Sequence, residues 1–432
     1  MKPIYNFVSE DAGLITKTVS GFIPSSVFVP LKKNGADDVE ILIKAGDTVK
    51  EGQVIAKSAG ACVHSSIPGT VENLVHCAFA DGSEGLAAKI NLKGEFSFTG
   101  KKPLSLDWKQ NDESAITFLL TKNGVVNTFL NCEDLSLQIK NLDRTLPRIL
   151  AVRLYSEDPS RLTDGFVAEH YFEQIKTGSA IIAKAIGAAG ILFACDIPQK
   201  NFDFSIPGVK IPVGFVEVDS KAYPNGFVHE ISEKAQKSLK DTVFARTGIK
   251  DLYIDSITAL NAYSAVVFDK PVMSTNVHVT GDCLNAACVI NVKIGTTLAD
   301  LAQQSGGFKR EPGKIVINGK MTGNSLADMN IPVSKGVKSV AFIPFNELPD
   351  QTEQNCIRCG NCLKICPLNL YPESLYRCWK NKDFNDRSLE IIKKTAVLCT
   401  ECSLCNSVCP SRIPLSQIIA SLKKKNQGKI DE

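Results

Sequence analysis

The sequence predicts a multidomain chain of mixed α/β and α+β class. Three observations carry that expectation. Residues 1 to about 100 alternate short apolar runs with glycine turns, the pattern of a small β domain. Arg148 to Cys195 runs strand, helix, strand, the rhythm of a parallel sheet. Finally, the run Cys356-x2-Cys359-x2-Cys362-x3-Cys366-Pro367 returns as Cys399-x2-Cys402-x2-Cys405-x3-Cys409-Pro410, a doubled spacing that packing alone does not require.

A chain of 432 residues has room for roughly two to four domains with real cores. Boundaries are expected at 1–105, 106–270, 271–348 and 349–432. The 49 Lys and Arg nearly balance 46 Asp and Glu, for a formal charge of +3, so no nucleic-acid partner is expected. No stretch approaches the roughly eighteen apolar residues of a membrane span, and the best candidate, Ala180 to Cys195, contains Lys184. The chain is therefore expected in the cytoplasm, with any membrane association peripheral, on the inner face.

In the first region, Val39 to Ala56 reads as short strands broken at Gly46-Asp47 and Glu51-Gly52, and His64 to Val71 leads into another. This resembles a biotinyl or lipoyl type barrel-sandwich hybrid. Such domains carry their group on a lysine at a hairpin tip. Here the tip is Ser58-Ala59-Gly60-Ala61-Cys62-Val63, so the fold is read as scaffold without a swinging cofactor. His64 is read as a hairpin-end hydrogen bonder.

The second region supplies strands at Arg148–Leu154, Ala189–Cys195 and Ile211–Val218, with helices at Gly165–Ile186 and His229–Leu239. The third reads as a β-grasp domain of the soluble-ligand-binding (SLBB-like) kind. Its strands are expected at Val277–Thr280, Ala287–Val292, Lys314–Ile317 and Ser339–Ile343, with a helix at Thr297–Gln304. Within it Gly281-Asp282-Cys283-Leu284-Asn285-Ala286-Ala287-Cys288 stands out. Cys283 is expected in an exposed turn and Cys288 buried at a strand start. They are either plain unpaired thiols or, at Cys283, a redox thiol that handles electron pairs.

The doubled cysteine run matches the bacterial ferredoxin pattern, in which the fourth thiolate of each run binds the other run's cluster. The expected sets are crossed: Cys356, Cys359, Cys362 and Cys409 for one [4Fe-4S] cluster, Cys399, Cys402, Cys405 and Cys366 for the other. Zinc would use four ligands as two hooks, whereas each run offers three close thiols and a fourth before proline. A disulfide framework needs an oxidising compartment, which a long chain with no signal peptide does not imply. The other seven cysteines, Cys62, Cys77, Cys132, Cys195, Cys283, Cys288 and Cys378, are read as free thiols. The spacer Pro367–Leu398 is read as a helical insertion, and Ile413–Lys425 as a helix ending in solvated lysines.

The order of segments resembles the RnfC component of the Rnf electron-transport complexes, and more distantly the NqrA component of the sodium-pumping NADH:quinone reductase. The resemblance is carried by Tyr223-Pro224-Asn225-Gly226, Asp255 to Ala262 with Lys270-Pro271-Val272, His278-Val279-Thr280-Gly281, Lys293-Ile294-Gly295-Thr296, Ile317 to Gly323, Pro332-Val333-Ser334-Lys335 and the two cysteine runs. It implies electron transfer, and in members that oxidise NADH through FMN, a Gly-Gly-Ala-Gly-Phe-Pro-Thr loop. At that place this chain reads Leu120 to Glu133 with Gly124 alone, and Val125, Phe129 and Leu130 are expected to fill the space. The usual FMN and NADH site is thus expected to be absent or badly weakened, and Tyr223–Gly226 to be a helix-entry turn.

The leading expectation is an electron-transfer protein passing electrons through two [4Fe-4S] clusters to a partner reductase. Some relatives serve selenocysteine-dependent enzymes such as D-proline reductase, a role that a reactive Cys283 would suit. The alternatives are an NADH-oxidising, flavin-binding component docked on the membrane proteins of an Rnf complex, and a structural adaptor whose clusters only fix the fold.

Overall fold

The computed structural model describes residues 5–6, 15, 18–34, 38–143, 145–196, 201–348, 352–380 and 387–427. Near the amino end, Ser26–Lys33, Glu84–Leu92, Gly69–Ala78 and Thr48–Val49 pair antiparallel in one sheet, and Glu40–Ile41, Val54–Lys57 and Cys62–His64 in a second. The two sheets close on Val27, Val29, Ile55, Ile67, Val71 and Ile90, all fully buried. Alternation along Ser26–Lys33 puts one residue in two inward, as a half-solvated sheet requires.

Four parallel strands follow, ordered Val213–Val218, Gly190–Asp196, Ile149–Arg153 and Leu252–Asp255. Ile149–Arg153 is buried at every position, as expected where both faces of a parallel sheet are covered. Helices Phe172–Ile186 and Ser256–Val267 pack closely together. At their crossing a Cβ on Gly178 would collide with the Ala259 carbonyl, so only glycine fits. The expected helix Gly165–Ile186 is two, Thr163–His170 and Phe172–Ile186, parted at Tyr171 (φ −130°).

A six-stranded mixed sheet comes next. Its order is Thr18–Ser20, Cys288–Lys293, Ser274–Thr280, Ser339–Pro344, Pro312–Ile317, Asn324–Leu326, so an early strand completes its edge. Helix Leu298–Gln304 is capped by the Thr297 hydroxyl and buries Leu298, Leu301 and Ala302 against it.

Past residue 351 the chain is helical: Asn361–Ile365, Pro372–Lys380, Arg387–Lys394, Leu404–Ser407 and Leu415–Gln427. The spacer is helical as expected where it is described; residues 381–386, and the tail beyond 427, lie outside the described residues. No helix among the described residues is long and apolar enough to cross a membrane.

Candidate metal centres

The two cysteine runs fold alike. Arg358 and Gly360 in the first, and Glu401 and Ser403 in the second, take positive φ between 55° and 74°. Each run therefore curls tightly between its first three cysteines, with backbone amides turned inward. Glu401 N lies 3.4 Å from Cys399 Sγ and Leu370 N 3.3 Å from Cys366 Sγ, the contacts that tune thiolates. A short helix follows the second left-handed residue in each case and ends before the fourth cysteine, and Pro367 and Pro410 keep it from resuming beyond.

The eight thiols ring two small voids. One is lined by Cys356, Cys359, Cys362 and Cys409, the other by Cys399, Cys402, Cys405 and Cys366. Each void thus collects three cysteines of one run and the fourth of the other. Among the described residues no three His, Cys, Asp or Glu converge as a single bound ion would need. The thiols surround space instead, which suits a polynuclear cluster better than zinc. Burial pushes the Cys362 and Cys399 thiols up, Cys402 up to about 12 and Cys405 higher still. Thiols in such surroundings ionise only against a metal's charge.

The second void is fastened to the parallel-sheet region. The Tyr223 hydroxyl donates to the Cys402 carbonyl at 2.6 Å, and Tyr223 and Phe227 pack with Ile365, Cys402 and Leu404. Tyr223-Pro224-Asn225-Gly226, joined by a cis peptide bond at Pro224, is therefore more than the expected helix-entry turn. Sequence reasoning missed that contact, since nothing local links Tyr223 to Cys402.

It also missed a buried ionic network at the carboxyl ends of the parallel strands. Glu157 is clamped between the guanidinium groups of Arg153 and Arg161. Lys338 reaches Asp164 at 2.9 Å and also Asp255, all three nearly or fully buried. Asp158 accepts from Met321 N at 2.8 Å and Thr322 N at 3.0 Å. Charges this deep require partners, and here Lys338, Met321 and Thr322 beside the six-stranded sheet meet Asp164, Asp255 and Asp158 of the parallel-sheet region, which ties the two regions together.

The segment Leu120–Glu133 abuts that network. Helix Glu113–Lys122 runs through its start, and Gly124 (φ +67°) passes so close to the Cys62 carbonyl that a Cβ would collide with it. Val125 is fully buried and Phe129 nearly so, with the Arg153 guanidinium 4.1 Å above its ring. Leu130, expected to fill the same space, is instead 45 % exposed, because the chain turns outward after Phe129. The amides of Thr128 and Phe129 already donate, to Thr258 Oγ1 and Asn127 Oδ1.

Cys283 corrects an expectation. It is fully buried, its Sγ lies 3.6 Å from the Glu311 carbonyl, and burial pushes its thiol up. The Leu284–Phe308 bridge, with Lys309 N donating to the Cys283 carbonyl at 2.9 Å, folds a second segment over the turn. Cys288, expected to be buried, is half-buried, and its thiol is raised as well. Neither has the depressed pKa and access of a reactive thiol.

Comparison with known proteins accords with this architecture. Residues 15–95 match the RnfC barrel sandwich hybrid domain, and residues 353–413 the 4Fe-4S dicluster domain. These two matches support an RnfC-like family for the chain. This RnfC-like chain is 25 % identical over 372 residues to the C subunit of the proton-translocating ferredoxin:NAD(+) oxidoreductase complex of Clostridium ljungdahlii, covering 82 % of this chain and 78 % of that one. It is 25 % identical over 367 residues to the C subunit of the ion-translocating oxidoreductase complex of Rhodobacter capsulatus, covering 82 % and 69 %. A NAD+-reducing [NiFe]-hydrogenase in the air-oxidized state superposes with a TM-score of 0.48 at 14 % identity, over 73 % of this chain and 63 % of that one. The RnfC-like chain is an electron-transfer protein with two [4Fe-4S] clusters.

Proposed function

We propose that the chain relays single electrons to a partner reductase through clusters held by crossed ligand sets. Cys356, Cys359, Cys362 and Cys409 hold the first, and Cys399, Cys402, Cys405 and Cys366 the second. The observation that carries this reading is the composition of the two voids, three thiols of one run with the fourth of the other. A bound [4Fe-4S] cluster supplies one-electron exchange with no proton or bond change at the protein. The chain's own part is to exclude water, to aim amides at the sulfurs, and through Tyr223 to hold the second set against the parallel-sheet region. We assign the six-stranded sheet and its helix to a β-grasp domain of the soluble-ligand-binding kind, and keep the domain boundaries at 105, 270 and 348.

The test is a pair of single substitutions on the cluster-loaded protein. Cys409→Ala should remove roughly half the iron and leave the paramagnetic signal of the set containing Cys399 after dithionite reduction. Cys366→Ala should leave the other. If Cys409→Ala instead abolishes the signal of the Cys399 set and spares that of Cys356, the sets are not crossed.

A second reading, NADH oxidation through flavin, draws on the names of the relatives, which include a component of a ferredoxin:NAD(+) oxidoreductase complex. Leu120–Glu133 speaks against it. The Thr128 and Phe129 amides are already committed and Phe129 sits beneath Arg153, whereas a flavin phosphate needs free amides and open space. Release of stoichiometric flavin on denaturation would overturn our preference. Service to a selenocysteine-dependent reductase drew on an accessible Cys283, and burial of that thiol removes the support.

A further inference from the structure

The two thiol rings differ in their surroundings. Ile357, Arg358, Cys359 and Pro410 on the first are exposed, whereas no residue lining the second is exposed, and Tyr223 and Phe227 pack beside it. Ile357 keeps 68 % of its surface in water and nearby Leu363 40 %. A carrier protein arriving from solution therefore meets more exposed side chains at the first ring than at the second.

Charge around the first ring is one-sided. Arg358 lies on its loop, Lys364 on the helix Asn361–Ile365, Arg412 just past Cys409, and Lys380 at the end of the helix Pro372–Lys380; all four are exposed. The Ser411 hydroxyl donates to the Asn355 carbonyl at 2.8 Å, which holds the start of the first run against the end of the second beside the ring. Among the described residues the carboxylates there are Glu353, which accepts from the Tyr376 hydroxyl, and Glu373, which faces Arg377 at 3.9 Å. Among the described residues cations outnumber carboxylates at this rim, although the whole chain carries only +3.

We infer that this rim is the docking surface of an acidic one-electron carrier protein. The inference rests on the relay proposed above and names its point of entry. On docking, one electron leaves the carrier's reduced centre and reduces by one the group held by Cys356, Cys359, Cys362 and Cys409. The carrier ends oxidised by one electron, and no proton or covalent bond moves. Exposed apolar side chains ringed by cations give a small, short-lived contact steered by charge, the kind that redox encounters use.

An acidic two-cluster ferredoxin serves as the probe. Its affinity for the cluster-loaded full chain is measured by biolayer interferometry across a range of ionic strength. Arg358→Glu and Lys364→Glu are compared with wild type, and Lys44→Glu, in an exposed loop between the amino-terminal strands Glu40–Ile41 and Thr48–Val49, is the control. Binding should weaken with added salt, fall roughly tenfold or more in each rim variant, and stay unchanged in the control. Binding that ignores salt, or that survives both reversals, overturns the proposal. Iron content measured on every variant distinguishes lost docking from lost folding, and the milder Arg358→Gln should show an intermediate loss. Dithionite reduction of the same samples separates the two levels. Reducible clusters without rim-dependent binding defeat the docking surface alone, and irreducible clusters defeat the relay beneath it.

Discussion

His64 stands on the strand Cys62–His64 with 4 % of its surface exposed, its ring bonded to the Lys122 backbone and its Nδ1 without a protein partner. Burial above all, with the Lys335 charge behind it, pushes the imidazole down to about 3 from its ordinary 6.5. The unfolded chain thus takes up a proton near 6.5 that the folded chain refuses until about 3. Stability is full above 6.5 and declines as pH falls below it, by up to about 1.4 kcal/mol per unit well inside the window. His64→Gln should flatten that slope between pH 6.5 and 5, read as urea midpoints of both proteins at each pH; parallel curves would show that the imidazole is not the cause. The sequence named His64 as a hairpin-end hydrogen bonder, and its bond to the Lys122 backbone fits that reading. Its depth could not be read, because the covering residues come from segments far along the chain. Cys283 fails for the same reason. A Gly-Asp-Cys turn reads as exposed, and only the Leu284–Phe308 bridge buries it.

At the scale of elements, three of the four parallel strands were legible, the inner pair because a sheet covered on both faces leaves unbroken apolar runs, as in Gly190–Asp196, whereas Leu252–Asp255 was not expected. The break at Tyr171 was not. Phe172 opens the second helix packed on Phe202 and Phe204, contacts that helical periodicity does not display. The crossing of Phe172–Ile186 with Ser256–Val267 yields a prediction about backbone approach. Alanine favours a helix over glycine by about 1 kcal/mol, so Gly178→Ala would stabilise an exposed helix. Here the added methyl meets the Ala259 carbonyl, backbone that cannot rotate away, and the helices must part. The expected outcome is a net loss of about 1–3 kcal/mol, visible as a lowered thermal midpoint with iron content unchanged. A raised midpoint would mean that the crossing has room for the methyl.

At the scale of the whole molecule, which thiols gather around each void was legible from spacing, while the docking of one ring by Tyr223 was not, since the two partners share no local pattern. That docking bears on what the metal does for the fold. The helices beside the rings, Asn361–Ile365 and Leu404–Ser407, are too short to persist on their own. The apolar clusters around them are small, Tyr376, Ile413, Leu415 and Ile418 in one and Leu375, Ala396, Ile419 and Leu422 in the other. The parallel-sheet core needs no such help, with Leu150, Val152, Ile191, Phe193 and Ile254 fully buried in one continuous cluster. Stripping iron anaerobically with a chelator at neutral pH should therefore loosen the segment from 352 onward and spare the rest, because binding energy there doubles as folding energy. Limited proteolysis checks this: new cuts should fall after residue 352, and the remaining fragment should keep a cooperative thermal transition. Collapse of the whole chain on iron loss would instead mean that Tyr223, Phe227 and their neighbours couple the rings to the sheets strongly enough for the molecule to unfold as one.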